Sequence, residues 1–213
     1  MLKGTAIETG YYSFLERHLV PKLVYLKLKP NHVSLLGLLT SMLAGVSFAC
    51  WPFLGGLLTL LMGLFDTLDG CLARVMGQTK KFGAFLDSVL DRYTELIIYL
   101  GIWCYFYNQD IRSPFFSLVL LLILFGSLMV SYTRARAEGL GERCLVGMFQ
   151  RGERIILLGL AGILNPVFNF FVKTADNPWT HDTPLLLVLL VLAVGTNLTA
   201  LWRFLHVLNN LRR

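Results

Sequence analysis

The chain has 213 residues, of which 55% are hydrophobic, and it carries a net charge of +6 at neutral pH. This length and composition are typical of one membrane domain without an added soluble catalytic domain. The basic residues are scattered between apolar segments and form no dense patch with interleaved aromatic side chains, so no nucleic acid partner is expected.

The first 30 residues predict an amphipathic helix that lies at the membrane interface, interrupted at Pro21. Charged residues occupy the other positions, and one side carries five apolar residues, Tyr11, Leu15, Leu19, Leu23 and Leu26. A partly disordered basic tail is the alternative. We therefore divide the chain into an N-terminal segment, 1–30, and a membrane domain, 31–213.

Six apolar stretches follow, each close to the roughly 20 residues that cross a bilayer as a helix. They lie at roughly 32–50, 53–73, 84–107, 114–137, 151–172 and 183–206. The sequence thus predicts an all-α membrane protein with six transmembrane helices. An even number of spans brings both ends of the chain to the same side of the membrane.

The lysines and arginines predict which side this is. Of the 19 in the chain, all but Arg112 and Lys173 fall on the side that holds the two chain ends. Because basic residues concentrate in the cytoplasmic segments of membrane proteins, the N- and C-termini are predicted to be cytoplasmic. The protein is expected to be a multi-pass protein of the cell membrane.

Four aspartates interrupt the second and third apolar stretches. With small residues they form two sets, Asp66, Asp69, Gly70 and Ala73 at i, i+3, i+4 and i+7, and Gly83, Asp87 and Asp91 at i, i+4 and i+8. Each set lies on one helical face, so two opposed faces would gather four carboxylates around a slot. Such oxygen ligands suit Mg²⁺ or Mn²⁺. Ion pairs with Arg74 and Arg92 are the alternative.

This stretch resembles, position for position, the signature of the CDP-alcohol phosphotransferases, D-x2-D-G-x2-A-R-x8-G-x3-D-x3-D. The signature covers residues 66–91, and the six apolar segments extend the resemblance over nearly the whole chain. The resemblance implies transfer of a phosphatidyl group from CDP-diacylglycerol to a polar alcohol, with release of CMP. It also implies a homodimer, and the distribution of basic residues predicts that the active site faces the cytoplasm.

The resemblance further implies a role for each signature residue. One or two Mg²⁺ or Mn²⁺ ions would bind to the aspartates, Asp66, Asp69, Asp87 and Asp91. The cytidine nucleotide would bind against Gly70, Ala73, Arg74 and Gly83. Asp91 is also the implied general base, which would take the proton of the acceptor hydroxyl.

Four residues of the last three spans form the predicted acceptor site, Ser131, Arg134, Arg154 and Arg203. An arginine inside an apolar span needs an anionic partner or an aqueous cavity, and the three arginines map to the cytoplasmic half, so they predict a phosphate-binding cluster. The pattern is similar to that of prokaryotic phosphatidylinositol-phosphate synthases, which implies inositol phosphate as the acceptor. Alternatively, these are loop arginines paired with Glu138, Glu142 and Glu153.

Two other functions stay open at this point. Within the same family, a phosphatidylglycerophosphate or phosphatidylserine synthase would use another acceptor, although serine, a zwitterion, would leave several buried arginines uncompensated. In another class, a cation or proton transporter would also carry intramembrane acids. Transport predicts acids distributed through the depth of the membrane, whereas these four cluster near one face.

Overall fold

The computed structural model describes residues 6–77, 81–108, 114–172 and 181–212, and within these ranges the chain is helical without strands. Arg112 and Lys173, which the orientation argument used, lie outside the described residues. The helices are α1 (Ala6–His18), α2 (Val20–Tyr25), α3 (Pro30–Cys50), α4 (Pro52–Val75), α5 (Lys81–Asn108), α6 (Pro114–Gly139), α7 (Arg151–Val172) and α8 (Thr183–Leu211).

The starts of three long helices have a simple local cause. Pro30, Pro52 and Pro114 are the first residues of α3, α4 and α6. Proline favours this position because the N–H that it lacks would have no partner inside the helix, and because its fixed φ angle is already that of a helix. The six predicted apolar stretches therefore correspond to the six long helices, within a few residues at each end.

Five of the helices, α3, α4, α6, α7 and α8, are long and apolar enough to cross a membrane. Helix α5 is not among them although it has 28 residues. The reason is that its first 15 residues contain five charged side chains, Lys81, Asp87, Asp91, Arg92 and Glu95. The predicted stretch 84–107 is therefore a helix of sufficient length, and its crossing of the membrane stays a prediction.

The six long helices form a closed ring in the order α3, α4, α7, α8, α6 and α5, so that each packs against two others. Large side chains such as Phe48, Met62, Ile102, Ile123 and Leu189 fill its interior. Many leucines and phenylalanines on the outer faces are exposed. An apolar exterior of this extent is suited to lipid rather than water.

One end of the ring collects the starts of α3, α5 and α7 and the ends of α4, α6 and α8, as contacts between these segments show. Helices α1 and α2 pack against α3 and α4 at this end. Leu15 and Val20 are buried there against Val33, Leu68 and Leu72. This end, which we call the polar end, carries all of the predicted site residues.

The predicted apolar side of the N-terminal helix is correct only in part. Leu15 is buried, and Leu19 and Leu23 pack against the core, whereas Tyr11 and Leu26 are exposed. The helix is broken at Leu19 between α1 and α2, and Leu26 follows the end of α2. A single continuous helical face therefore does not extend over the whole segment.

Helices α3 and α5 approach each other most closely where two glycines meet. A Cβ atom added to Gly101 would overlap the carbonyl oxygen of Gly45, and one added to Gly45 would lie 2.6 Å from the carbonyl oxygen of Ile97. Both positions are buried. Glycines in membrane helices allow this kind of close backbone packing.

We predict that Gly101→Ala destabilises the bundle by about 1 to 3 kcal/mol, because the added methyl group must push two backbones apart. Thermal unfolding of the detergent-purified protein measures the effect. Gly10→Ala is the matched control, since a Cβ at Gly10 in α1 meets no atom within 4 Å. Equal unfolding midpoints for the two variants would contradict the close packing.

Candidate active site

Three carboxyl groups meet at the polar end of the ring. Asp66 lies in the second half of α4, and Asp87 and Asp91 lie on successive turns of α5. One carboxylate oxygen of each lies within 4.8 Å of those of the other two. At this spacing two negative charges repel by about 3 kcal/mol even at an effective dielectric constant of about 20. The cluster therefore requires positive charge.

The fourth aspartate lies beside these three. Asp69 is buried, and its Oδ2 accepts a hydrogen bond of 2.5 Å from the hydroxyl of Ser34 in α3. All four aspartates line one small cavity of about 20 Å³. The structure thus brings together the four predicted metal ligands, and their all-oxygen donor set fits Mg²⁺ or Mn²⁺.

Arg151 supplies positive charge inside this cluster. Its Nη1 forms an ion pair with Asp66, and its Nη2 lies 2.9 Å from Oδ1 of Asp91. It is the first residue of α7, so the positive end of that helix dipole also lies at the cluster. The sequence analysis missed this residue because about 60 to 85 positions separate it from the aspartates, and no local spacing connects them.

The two arginines that the sequence offered as partners behave differently. Arg92 lies 3.7 Å from Asp91 but forms a shorter ion pair, of 3.1 Å, with Glu95. Arg74 pairs instead with Glu16 of α1, at 3.8 Å. Within the described residues, pairing of Arg74 with an aspartate is therefore wrong, because its side chain points toward the N-terminal helix.

A larger cavity of about 750 Å³ opens next to the aspartates. Its lining includes all four residues predicted for the nucleotide, Gly70, Ala73, Arg74 and Gly83. Ser34, Asp69 and Asp87 line both this cavity and the small one, so the two spaces adjoin. A cavity of this size is within the range of about 300 to 1,000 Å³ that small-molecule sites occupy.

Two glycines keep this cavity open. A Cβ atom at Gly83 would meet nothing within 4 Å, and one at Gly70 would meet only Nη1 of Arg74, at 3.8 Å. Neither glycine is therefore required for helix packing. Lys29 and Lys81 also line the cavity and give it cationic groups. The cavity thus combines cationic groups with the carboxylates of Asp69 and Asp87.

Helix α1 fixes the position of Arg74. The guanidinium carbon lies 5.3 Å from the ring centre of Tyr12, which is a cation–π arrangement, while Glu16 pairs with the same group. Nη2 also approaches Sγ of Cys71 at 3.2 Å. Tyr12 and Glu16 therefore hold a residue of the cavity wall in place, a role that the sequence analysis did not assign to them.

Glu95 is a buried charge that the sequence analysis also missed. It forms ion pairs with Arg154 of α7 and with Arg92, and it accepts a hydrogen bond from the hydroxyl of Ser127 in α6. Its position, four residues after Asp91, continues the spacing of the aspartates along the same face of α5. That spacing was the available signal. Glu95 joins three helices through one carboxylate.

The predicted acceptor residues lie at the polar end, each with its own partners. Arg203 is buried and donates to the carbonyl oxygens of Val130 at 2.6 Å and Val146 at 2.8 Å. Arg134 and Arg154 lie within electrostatic range of Arg203. The hydroxyl of Ser131 donates to a carbonyl oxygen within α6, at 3.3 Å.

The alternative prediction, in which these arginines pair with nearby glutamates, is correct for Arg134. Nε of Arg134 donates to Glu138 at 2.8 Å on the exposed surface of α6. Arg154 pairs with Glu95 and donates to the carbonyl oxygen of Phe149 at 2.9 Å. Arg154 is buried between α5 and the segment that precedes α7.

Comparison with known proteins agrees with this site. The family model for CDP-alcohol phosphatidyltransferase matches residues 27–193. An archaetidylinositol phosphate synthase from Methanothermobacter thermautotrophicus is 34% identical over 199 residues, which cover 93% of this chain and 92% of the relative. One from Pyrococcus horikoshii is 39% identical over 147 residues, covering 68% of this chain and 74% of the relative.

Solved structures resemble the chain over most of its length. The phosphatidylinositol phosphate synthase of Mycobacterium tuberculosis with CDP-DAG bound has a TM-score of 0.74 and 27% identity, covering 91% of this chain and 93% of that one. The same enzyme in complex with manganese and citrate gives a TM-score of 0.73 and 28% identity, covering 89% and 87%.

The fold and the site thus define a membrane-embedded transferase of substituted phosphate groups. The chain belongs to the CDP-alcohol phosphatidyltransferase family. The resemblance found in the signature is therefore confirmed, including its similarity to the phosphatidylinositol-phosphate synthase branch.

We predict that Glu95→Gln lowers the free energy of unfolding by about 3 kcal/mol, because it leaves two arginines near a neutral amide and Arg154 buried without its counter-charge. Thermal unfolding in detergent measures this loss. Ser127→Ala, which removes one hydrogen bond and no charge, is expected to cost about 1 kcal/mol. A smaller loss for Glu95→Gln than for Ser127→Ala would contradict the network.

Proposed function

We propose that this protein transfers the lipid-bearing phosphoryl group of a CDP-linked lipid, such as CDP-diacylglycerol, to inositol phosphate and releases CMP. The observation that carries the proposal is the 750 Å³ cavity, whose lining joins the signature glycines to the aspartate cluster. One ligand can therefore reach the small residues with its nucleotide and the carboxylate wall with its diphosphate. Its lipid tails would stay in the bilayer.

The aspartates Asp66, Asp69, Asp87 and Asp91 would hold Mg²⁺ or Mn²⁺. A bound divalent cation supplies charge neutralisation on the phosphoryl oxygens and stabilises the leaving group. Gly70, Ala73 and Gly83 provide close approach for the cytidine nucleotide, and Arg74, held by Tyr12 and Glu16, provides a fixed cation.

Asp91 acts as the general base in this proposal. It takes the proton of the acceptor hydroxyl, the acceptor oxygen forms a bond to the lipid-bearing phosphorus, and the bond from that phosphorus to the CMP oxygen breaks. CMP leaves with the electron pair of the broken bond. Asp91 is suited to this role because it lies deeper in the ring than Asp87, one turn further along α5 and next to Thr94 and Glu95.

The acceptor is proposed from two observations. Arg134, Arg154 and Arg203 bring three positive charges near one another at the polar end, with Ser131 beside them, which favours an acceptor that carries phosphate. The relatives named above are inositol phosphate synthases of archaetidyl and phosphatidyl lipids. Glycerol phosphate is the second candidate, since it offers the same phosphate, and serine is third.

The membrane arrangement is part of the proposal. We infer that α5 is a sixth span, because its exposed residues beyond the aspartates, such as Leu96, Leu100 and Trp103, are apolar while its charges face the ring. Six spans would bring both termini to the same side as the polar end and its site, and the excess of lysines and arginines there supports the cytoplasm as that side. Segment 1–30 would lie along the cytoplasmic interface, and 31–213 forms the membrane domain. The homodimer stays a prediction from the resemblance.

The transporter alternative finds less support than the enzyme. Asp182, at the start of α8, is a buried acid at the opposite end of the ring. Its Oδ1 already accepts hydrogen bonds from Tyr105, Asn165 and Asn169. This carboxylate ties α5, α7 and α8 together, and membership in a transferase family accounts for the acids at the polar end.

We predict that Asp91→Asn abolishes turnover while the protein still folds, because the amide cannot accept the hydroxyl proton. CMP release from CDP-diacylglycerol with inositol phosphate and Mn²⁺ measures turnover. Ser88→Ala, on the exposed side of α5, is the matched control and should leave the rate unchanged. Normal turnover by folded Asp91→Asn would remove the general base, and turnover only with another acceptor would replace inositol phosphate.

We predict that Arg134→Gln raises the KM for inositol phosphate roughly tenfold, since one charge-assisted hydrogen bond to phosphate is lost, and leaves the KM for the CDP-linked lipid within about twofold. Steady-state CMP release with each substrate varied in turn measures both constants. Arg136→Gln removes the same charge from an exposed neighbouring position and is the control. A larger change in the donor KM than in the acceptor KM would move Arg134 out of the acceptor site.

A further inference from the structure

Arg151 lies among the predicted metal ligands, and neither the signature nor the proposed acceptor site gives it a role. Its Nη1 pairs with Asp66 and its Nη2 with Asp91, whereas Arg92 reaches only Asp91, at 3.7 Å. Among the described arginines, Arg151 is the one that contacts two of the four aspartates. A cation of the chain itself thus occupies the position where a metal ion would be neutralised.

The size of the cavity indicates that the guanidinium of Arg151 and a metal ion would compete for the same space. The cavity between the aspartates and Arg151 measures about 20 Å³, which is room for about one water molecule. Mg²⁺ requires about six oxygen ligands at about 2.1 Å, some of them water or phosphate oxygens. Such a coordination sphere does not fit while the guanidinium stays between Asp66 and Asp91.

We propose that Arg151 is an internal counter-cation of the metal site. It neutralises Asp66 and Asp91 in the metal-free protein, and its guanidinium leaves these two carboxylates when a divalent cation binds. The inference rests on the proposed function, because it takes the aspartates to be metal ligands. Removal of Arg151 should therefore strengthen metal binding rather than weaken it.

The position of Arg151 allows this movement. It is the first residue of α7 and follows a non-helical segment, 140–150, so its side chain is next to a loop rather than enclosed by two helical turns. Its buried Nε has no hydrogen-bond partner among the described residues, so rotation breaks no bond at that atom. Nη2 also contacts the hydroxyl of Thr94, at 3.2 Å, a neutral group.

This arrangement also favours divalent over monovalent ions. A monovalent cation brings no more charge than the guanidinium that it would replace, so the exchange gains little electrostatic energy. A divalent cation brings one additional charge to three carboxylates within 4.8 Å of one another. The apparent affinity for a divalent ion is nevertheless lowered by the small fraction of protein in which Arg151 has moved away.

A second arrangement predicts the opposite result. Each carboxylate has two oxygens, so Arg151 could remain bound to one oxygen of Asp66 and one of Asp91 and orient the other two toward a metal. In that case the loss of Arg151 would disorder the ligands and weaken metal binding. The sign of the change in metal affinity therefore distinguishes displacement from orientation.

The test uses the full chain in detergent, stripped of metal with a chelator and titrated with Mn²⁺ without substrates. Free Mn²⁺ is measured by electron paramagnetic resonance. We expect Arg151→Gln to lower the Kd for Mn²⁺ at least about tenfold, because a competing charge in contact with two ligands is removed. Mn²⁺ should also raise the thermal unfolding midpoint of Arg151→Gln by more than it raises that of the wild type.

Arg203→Gln is the matched control, since it removes a buried arginine at the same end of the ring that is bonded to carbonyl oxygens rather than to aspartates. Its Kd for Mn²⁺ should change by less than about threefold. Arg151→Lys is a second variant if Arg151→Gln does not fold. Lysine keeps the charge without the planar fork that bridges two carboxylates, so a smaller gain in affinity is expected.

Each outcome has a distinct meaning. Tighter Mn²⁺ binding by Arg151→Gln, or by Arg151→Lys, supports the counter-cation. Unchanged or weaker binding, with Mn²⁺ still bound by the wild type, overturns this inference and leaves the proposed function intact. Failure of the wild type and of both variants to bind Mn²⁺ overturns the inference together with the metal assignment of the proposed function.

Discussion

Repulsion among carboxylates in a poorly solvated environment is the constraint on which the polar end of this protein depends. Four aspartates and a glutamate lie on facing segments of α4 and α5; Asp69 and Glu95 are buried, and the other three are partly buried. Arginines lie between these carboxylates, so that negative and positive side chains alternate along a continuous series of ion pairs. The series is Asp66, Arg151, Asp91, Arg92, Glu95 and Arg154. Each member has at least one neighbour of opposite charge, which buried charges require.

This series explains how a helix as polar as α5 can belong to a membrane bundle. Asp91, Glu95 and Arg92 point toward α6 and α7, and beyond Asp91 the exposed side chains such as Leu96, Leu100 and Trp103 are apolar. The neighbouring helices contribute partners where α5 needs them, Arg151 and Arg154 from one turn of α7 and Ser127 from α6. The non-helical segment 140–150 returns the chain so that α7 begins next to the aspartates.

The sequence predicted those features that a single helix encodes. The spacing of Asp66 and Asp69 with Gly70 and Ala73 places them on one face, and the structure finds them on the walls of two adjoining cavities. Glu95 continued the same spacing, yet it was overlooked because it lies in an apolar stretch outside the signature. Where a signature defines the expected residues, a further acid on the same face is easily missed.

Features that depend on tertiary packing could not be predicted from the sequence. The contact of Arg74 with Tyr12 and Glu16 requires α1 to lie against the end of α4, and the predicted break near Pro21 did not indicate which helix α1 packs against. Arg151 likewise meets Asp66 only because α4 and α7 are neighbours in the ring, an adjacency that neither helix specifies alone. Charge partners across helices follow from topology, and one sequence offers no signal for them.

The ion-pair series also links the two substrate sites that the proposed function requires. Asp91, the proposed base, and Arg154, a proposed phosphate ligand of the acceptor, are connected through Arg92 and Glu95. A change of charge at one end therefore alters the field at the other, because low solvent access screens these groups poorly. Binding of an anionic acceptor at Arg154 would loosen its hold on Glu95, and Glu95 would then draw Arg92 more strongly away from Asp91. In this way, occupation of the acceptor site would weaken the pairing of Asp91 with Arg92, at the position where the acceptor proton must be taken.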